Sequence, residues 1–269
     1  MMLGAVALFT SCTSEEQETL SPENGSEQKG QFVLNLNSNA DFSVQTRALN
    51  ENAYSNTDNF TVQIINASSQ VVMECKGSEL STYLPKELSI GSYEVKAFYG
   101  TESKASRNDF RVEGSNTFTI QAEQQTSVDV ACAPTCGKLY VNFDPSMATY
   151  CSDYNVTYGG TEALGAETIA WAKADSEPWY VALTPNGETI NYTINLTVKD
   201  SYAFTDGNGQ KQTQAQYTGS FQLQRNHAHK LTVKPSYTPS TEGGLEIQIT
   251  IDDTTNDHEV TFTVPVSWI

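Results

Sequence analysis

From Gln31 almost to the last residue, apolar and polar side chains alternate with a period of two. That pattern suits strands that bury one face and wet the other, and it is incompatible with amphipathic helices. Phe32, Leu34 and Leu36 alternate in QFVLNLN, and Phe60, Val62 and Ile64 in FTVQII. A turn at Ala67-Ser68-Ser69-Gln70 leads into VVMEC. Tyr93, Val95, Ala97 and Tyr99 follow Gly91; Phe118 pairs with Ile120, and Val128 with Val130. Short runs bounded by Gly, Asn, Ser or Asp at this spacing predict β-sandwiches.

The stretch ACAPTCG (131–137) interrupts the pattern with Pro134 and Gly137 and is read as a linker. The fold class expected is therefore all-β: two tandem antiparallel β-sandwich domains, over 31–133 and 138–269. After the linker, Leu139, Val141 and Phe143 share one face of a strand. Asp144-Pro145 then fits an N-cap followed by proline at the first helical position. One short helix is predicted near 145–151, with Met147, Tyr150 and Cys151 inward. WYVALTPNGETINYTINLTV reads as a hairpin turning at Asn186-Gly187, and DGNG (206–209) as a second hairpin tip. In the final run Val260, Phe262, Val264, Val266 and Trp268 alternate without interruption. A strand in that terminal position is expected to be there for pairing.

Residues 1–11 form an apolar stretch too short to span a bilayer, and they read as a secretory signal. Leu8-Phe9-Thr10-Ser11-Cys12 resembles a bacterial lipobox, with Cys12 receiving the lipid and Phe9 departing from the usual leucine. Acylation by more than one chain is enough for stable anchoring. Residues 12–30 are polar and acidic, cannot bury enough surface to fold alone, and read as a flexible tether. An acidic run behind a lipidated cysteine resembles the surface-export signal of some Gram-negative anaerobes. It implies an outer-membrane protein facing the exterior; the alternative is a spacer facing the periplasm.

With 15 Lys+Arg against 32 Asp+Glu, the net charge is −17. Such a chain is not expected to bind nucleic acid or to dock electrostatically on anionic lipid. No catalytic motif stands out: there is no G-x-S-x-G, no H-E-x-x-H and no P-loop. His227 and His229 share a strand face but lack an evident third ligand. The acidic run from Asp252 to Asp257 lacks EF-hand spacing and suits a hairpin turn. No metal and no cofactor are expected. Cys75, Cys132, Cys136 and Cys151 are read as structural, with a Cys132–Cys136 bridge one of several open pairings. Trp171, Trp179 and Tyr180 serve either as a sugar-stacking platform or as core.

Taken in order, several segments resemble an uncharacterised family of fimbrillin-like surface lipoproteins from gut anaerobes. They are Gln45-Thr46-Arg47-Ala48, DNFTVQIINASSQVV (58–72) and LSIGSYEVKAFYG (88–100), then VNFDPSMATYCSDYNVTY (141–158), RNHAHKLTVKP (225–235), ITIDDTTND (249–257) and VPVSW (264–268). The resemblance implies two transthyretin-like Greek-key sandwiches and a non-enzymatic fimbrial or adhesin-like role. It also implies cleavage after Arg47, which would remove Phe32, Leu34 and Leu36 and open a groove for β-strand addition by another pilin subunit. The donor would be Val260, Phe262, Val264, Val266 and Trp268. The alternative is that Arg47 is a loop arginine with no protease role, the reading preferred here because the stand-alone or anchor-type members of such a family keep their lipid. The rival role is a glycan-binding lipoprotein of a polysaccharide-uptake system; a hydrolase with paired carboxylates ranks last.

Overall fold

Strands account for most of the chain, as the alternation requires. The computed structural model describes residues 28–40, 42, 49–205, 208–237, 245–253 and 262–265. In the first half these are β1 (Lys29–Ser38), α1 (Asn52–Ser55), β2 (Thr61–Asn66), β3 (Val71–Lys76), α2 (Leu80–Tyr83), β4 (Lys86–Ser89), β5 (Gly91–Tyr99), β6 (Ala105–Ser106), β7 (Val112–Ile120) and β8 (Gln125–Pro134). The second half runs through β9 (Cys136–Phe143), α3 (Met147–Tyr150), β10 (Cys151–Gly159), β11 (Ile169–Ala172), β12 (Trp179–Ala182) and β13 (Glu188–Val198). It continues with β14 (Phe204–Thr205), β15 (Lys211–Gln212), β16 (Gln214–Leu223), β17 (Ala228–Tyr237), β18 (Leu245–Asp253) and β19 (Phe262–Pro265).

The two halves repeat one topology. In the first, the strand order β3-β2-β5-β7 continues into β8-β1-β4. In the second, β11-β10-β13-β16 faces β17-β9-β12. Matching β1 to β9, β2 to β10, β3 to β11, β4 to β12, β5 to β13, β7 to β16 and β8 to β17 superimposes the two orders. The second half adds β18 and β19 outside β17, and β6 outside β12. In the first half the join between the two layers is slight: β7 meets β8 only at Val112↔Pro134 and Glu113↔Ala133. Gly114 permits that corner, because a Cβ there would lie 2.4 Å from the Ala131 carbonyl oxygen.

Each layer pair closes on an aromatic-rich core. Phe32 on β1 is fully buried and stacks on Phe118 at 4.6 Å, which stacks in turn on Tyr93 at 5.6 Å. Val62, Ile64, Val95, Val128 and Val130 complete the first cluster. The second is built around Trp171, Tyr158, Tyr192, Leu139 and Leu231.

Three expectations need correction. The sandwiches are not purely antiparallel: β1 runs parallel to β8, and β9 parallel to β17. Parallel neighbours need a long crossover, and here the opposite layer of each sandwich supplies it. Second, ACAPTCG is not a linker. Residues 131–134 belong to β8, 136–137 to β9, and Thr135 alone lies between. Its N–H donates to Arg111 O at 2.9 Å and its carbonyl accepts from Leu183 N at 3.1 Å, so the chain stays paired through the proline. Third, β12 and β13 do not form a hairpin; they lie in different layers, and Asn186-Gly187 turns the chain across the sandwich. Gly187 adopts φ 73° there. Cys75, Cys132, Cys136 and Cys151, whose pairing the sequence left open, are all free and buried.

The short helix is present as α3, with Met147 fully buried. Asp144 accepts from Ser146 N at 2.9 Å and from the Ser146 hydroxyl. These bonds, the hydroxyl's first, hold its carboxyl below the usual range. The turn after β2 also forms, with Asn66 Oδ1 accepting from Ser68 N and Gln70 N.

Candidate functional site

The seam between the halves is where the sequence places its least expected side chains. Strands β9 and β12 are buried on both faces near their shared end. Leu139 and Val181 enter the second core, while Cys136 and Tyr180 enter the first, joined by Ala228 of β17. Ala228, Lys138 and Tyr180 are cross-strand neighbours in that register, so they present one face to the first half.

Lys138 is fully buried on this face. Its ammonium lies 2.6 Å from Glu51 Oε1, and the Tyr180 hydroxyl donates to the same oxygen. Phe42 and Tyr180 line the cation at 5.7 and 5.9 Å. Phe110 stacks on Tyr180 at 4.7 Å and on Tyr54 at 3.9 Å, which extends the aromatic contact into the first half. A charge buried this completely persists only when paired and hydrogen-bonded. Here Glu51 supplies the pairing from just before α1.

A second clamp works in the opposite direction. The segment after β5 leaves the first half and adds β6 to the edge of the second-half sheet, pairing Ala105 with Val181 and Ser106 with Tyr180. Arg107 then sits over Trp179 at 4.4 Å and Trp171 at 5.1 Å. Its guanidinium donates to Asp175 at 2.6 Å, to Ala170 O at 3.0 Å and to Glu177 O. Planar donors with a delocalised charge suit this combined stacking and forked pairing.

The aromatic trio is therefore not a sugar platform. Trp171 and Tyr180 are buried, and Trp179 is covered by Arg107 while its indole donates to Ala170 O at 2.9 Å. Burial raises the thiols of Cys136, Cys132 and Cys151, Cys132 to about 12 and Cys151 to about 11, which disfavours thiolate chemistry. His229 is buried face to face with Phe221, and among the described residues no group of three or more His, Cys, Asp or Glu is arranged to hold a metal ion. No helix among the described residues is long and apolar enough to cross a membrane.

β1 is not a simple edge strand, contrary to what strand removal in its plainest form needs. It pairs with β8 over Gln31–Ser38 on one side. On the other, β4 covers only Lys29–Phe32. Beyond Phe32 that side meets no strand among the described residues. Residues 29 and 30, read from sequence as the end of the tether, belong to β1. Cys12, Arg47, Val260, Val266 and Trp268 lie outside the described residues. Phe262 and Val264 fall in β19, at the outer edge of the second-half sheet, paired with Ile249 and Ile247.

Glu51, Lys138 and Arg107 were not anticipated from sequence. A lysine opposite Leu139 on an alternating strand reads as solvent-facing. The signal that could have exposed it is the apolar company on that supposedly wet face: Cys136, Tyr180 and Ala228.

A family model described as a domain of unknown function, DUF4493, matches residues 28–266. No curated protein matches the chain. Solved structures similar to it include the following three. A candidate adhesin from Bacteroides ovatus is 10% identical with a TM-score of 0.47, covering 86% of this chain and 95% of its own. A fimbrial assembly protein from Parabacteroides distasonis is 10% identical with a TM-score of 0.44, covering 87% of this chain and 100% of its own. A candidate polysaccharide-binding protein from Bacteroides thetaiotaomicron is 12% identical with a TM-score of 0.41, covering 86% of this chain and 98% of its own.

Proposed function

Because the chain belongs to the DUF4493 family of domains of unknown function, whose name assigns no chemistry, we propose a role from its own geometry: a non-catalytic, lipid-anchored surface component of fimbrial or adhesin-like type. The observation that carries this reading is the setting of β1. Its inward side chains, Phe32 and Leu34, fill the first core, yet beyond Phe32 one flank carries no strand among the described residues. A strand so placed is separable in principle, and its loss would leave an apolar slot and unpaired backbone along β8, which another subunit's strand fits. Cleavage after Arg47, between β1 and α1 in sequence, would free it together with Cys12 and its lipid, so a chain that stays anchored keeps β1. The terminal alternating run is the donor proposed, reaching a neighbouring copy after leaving β18.

Anchoring is proposed at Cys12, with residues 13–27 as the leash and the sandwiches outside the outer membrane. The expected result is that Cys12→Ala abolishes incorporation of labelled palmitate and moves the protein out of the membrane fraction. Undiminished labelling of the variant would remove the anchor from this account.

A further inference from the structure

Among the described residues β16 is a long strand with one side bare. Its ten residues, QAQYTGSFQL, pair with β13 along their whole length and with no strand on the other side. The N–H of Val198 donates to Thr213 O at 2.7 Å, which sets the alternation. Ala215, Tyr217, Gly219, Phe221 and Leu223 therefore turn their backbone groups to β13, and Gln214, Gln216, Thr218, Ser220 and Gln222 turn theirs outward. Sheets usually protect such an edge by charge, proline or brevity. Of the other edges of the three larger sheets, β4, β6, β11 and β19 run four residues or fewer, and β3 carries Glu74 and Lys76. β16 has neither charge nor proline, in a chain of net charge −17.

The internal repeat explains why this edge is bare. In the first half β7, the counterpart of β16, joins β8. In the second half β18 takes the place beside β17. β16 lies over β17, with Phe221 face to face with His229, so β18 and β19 continue past the last strand of the facing layer. Register places positions 249 and 251, both isoleucine, directly opposite Val233 and Leu231, which are fully buried, and opposite positions share a face. Positions 262 and 264, Phe and Val, follow on that face. Beside β16 there is thus a backbone edge on one side and an apolar floor below, with no described strand of the four-stranded layer above it. The edge of a second folded sandwich does not fit, because its own second layer would collide with β18. A lone extended segment does fit.

We infer that this slot takes the alternating run 260–268 of a second copy, laid beside β16 as a fifth strand of its layer. The inference rests on the donor role proposed above and supplies an acceptor in a chain that keeps β1. Val260, Phe262, Val264, Val266 and Trp268 cover the apolar floor, while Thr261, Thr263 and Ser267 extend the hydroxyl and amide face of β16. From Val260 on the run has no charged side chain, so two acidic chains meet here without repulsion. Pro265 sets the direction. In a parallel pair the residues that bond to β16 are the inward-facing ones, which leaves the proline nitrogen on the far side; antiparallel pairing would aim it at β16.

The test is fluorescence anisotropy of labelled peptide 258–269 titrated with the full chain, β1 retained. Saturable one-to-one binding is expected. Thr218→Pro removes an outward N–H in the middle of the edge, where proline is tolerated, and should weaken binding about 10-fold with the thermal midpoint unchanged. N-methylation of the peptide at Val264 should have the same effect, because that amide faces β16, while N-methylation at Thr263 should leave binding intact. No binding to the full chain, undiminished binding to a folded Thr218→Pro chain, or equal sensitivity to methylation at Thr263 and Val264 would each overturn the assignment. Because β1 is in place throughout, uptake seen only in a chain that begins at Leu49 would reject this slot and leave strand exchange at β1 standing.

Discussion

Lys138→Met is expected to lower stability by about 3–5 kcal/mol, the usual cost of stranding one member of a buried ion pair. Methionine keeps the unbranched shape and fits among Phe42 and Tyr180, so lost packing contributes little. The loss comes instead from the Glu51 carboxylate, which keeps the Tyr180 hydroxyl but no longer has a cation 2.6 Å away. A domain pair of this size should melt about 10 °C lower. Adding Glu51→Gln to Lys138→Met should recover most of the stability, because an amide oxygen still accepts from Tyr180 and no charge is left buried. The measurement is a denaturant cycle over the two single variants and the double. Additive losses would show that the pair is not what joins the halves.

Phe32→Ala should cost a similar amount, about 3–5 kcal/mol, for a different reason. The ring is fully buried and stacked on Phe118. Its removal forfeits transfer energy and leaves a cavity that two layers of sheet cannot close. The effect should be confined to the first core. Native-state hydrogen exchange should show β2, β5 and β8 losing protection while β10 and β13 keep theirs, if the second sandwich opens as its own unit. Uniform loss across both halves would mean that the seam couples the two cores into one cooperative unit.

The strands were legible because alternation is a local property: Phe32, Leu34, Val62, Ile64, Val95, Val128 and Val130 all point where their period sends them. Strand partners were not legible, because partner choice is non-local. Nothing in QFVLNLN distinguishes a parallel neighbour from an antiparallel one, and nothing in TPNGET reveals that Asn186-Gly187 carries the chain between layers. The proline of ACAPTCG misled for a related reason. Proline ends a strand only where its missing N–H is needed, and Pro134 stands at the end of β8, where Thr135 takes up the pairing. The seam was hidden most completely. It exists because β9 and β12 bury both faces, and Lys138 on such a strand looks like a wet residue until Glu51, more than eighty positions earlier, is brought to it.

The claim on which the functional account turns is that β1 occupies a slot another strand can fill. The direct measurement is fluorescence anisotropy of a labelled peptide spanning residues 29–38, titrated with a chain that begins at Leu49. Stoichiometric uptake is predicted, abolished when Phe32 and Leu34 of the peptide are replaced by serine, and competed by unlabelled peptide 258–269. A truncated chain that takes up the native and serine peptides alike, or neither, would contradict the account.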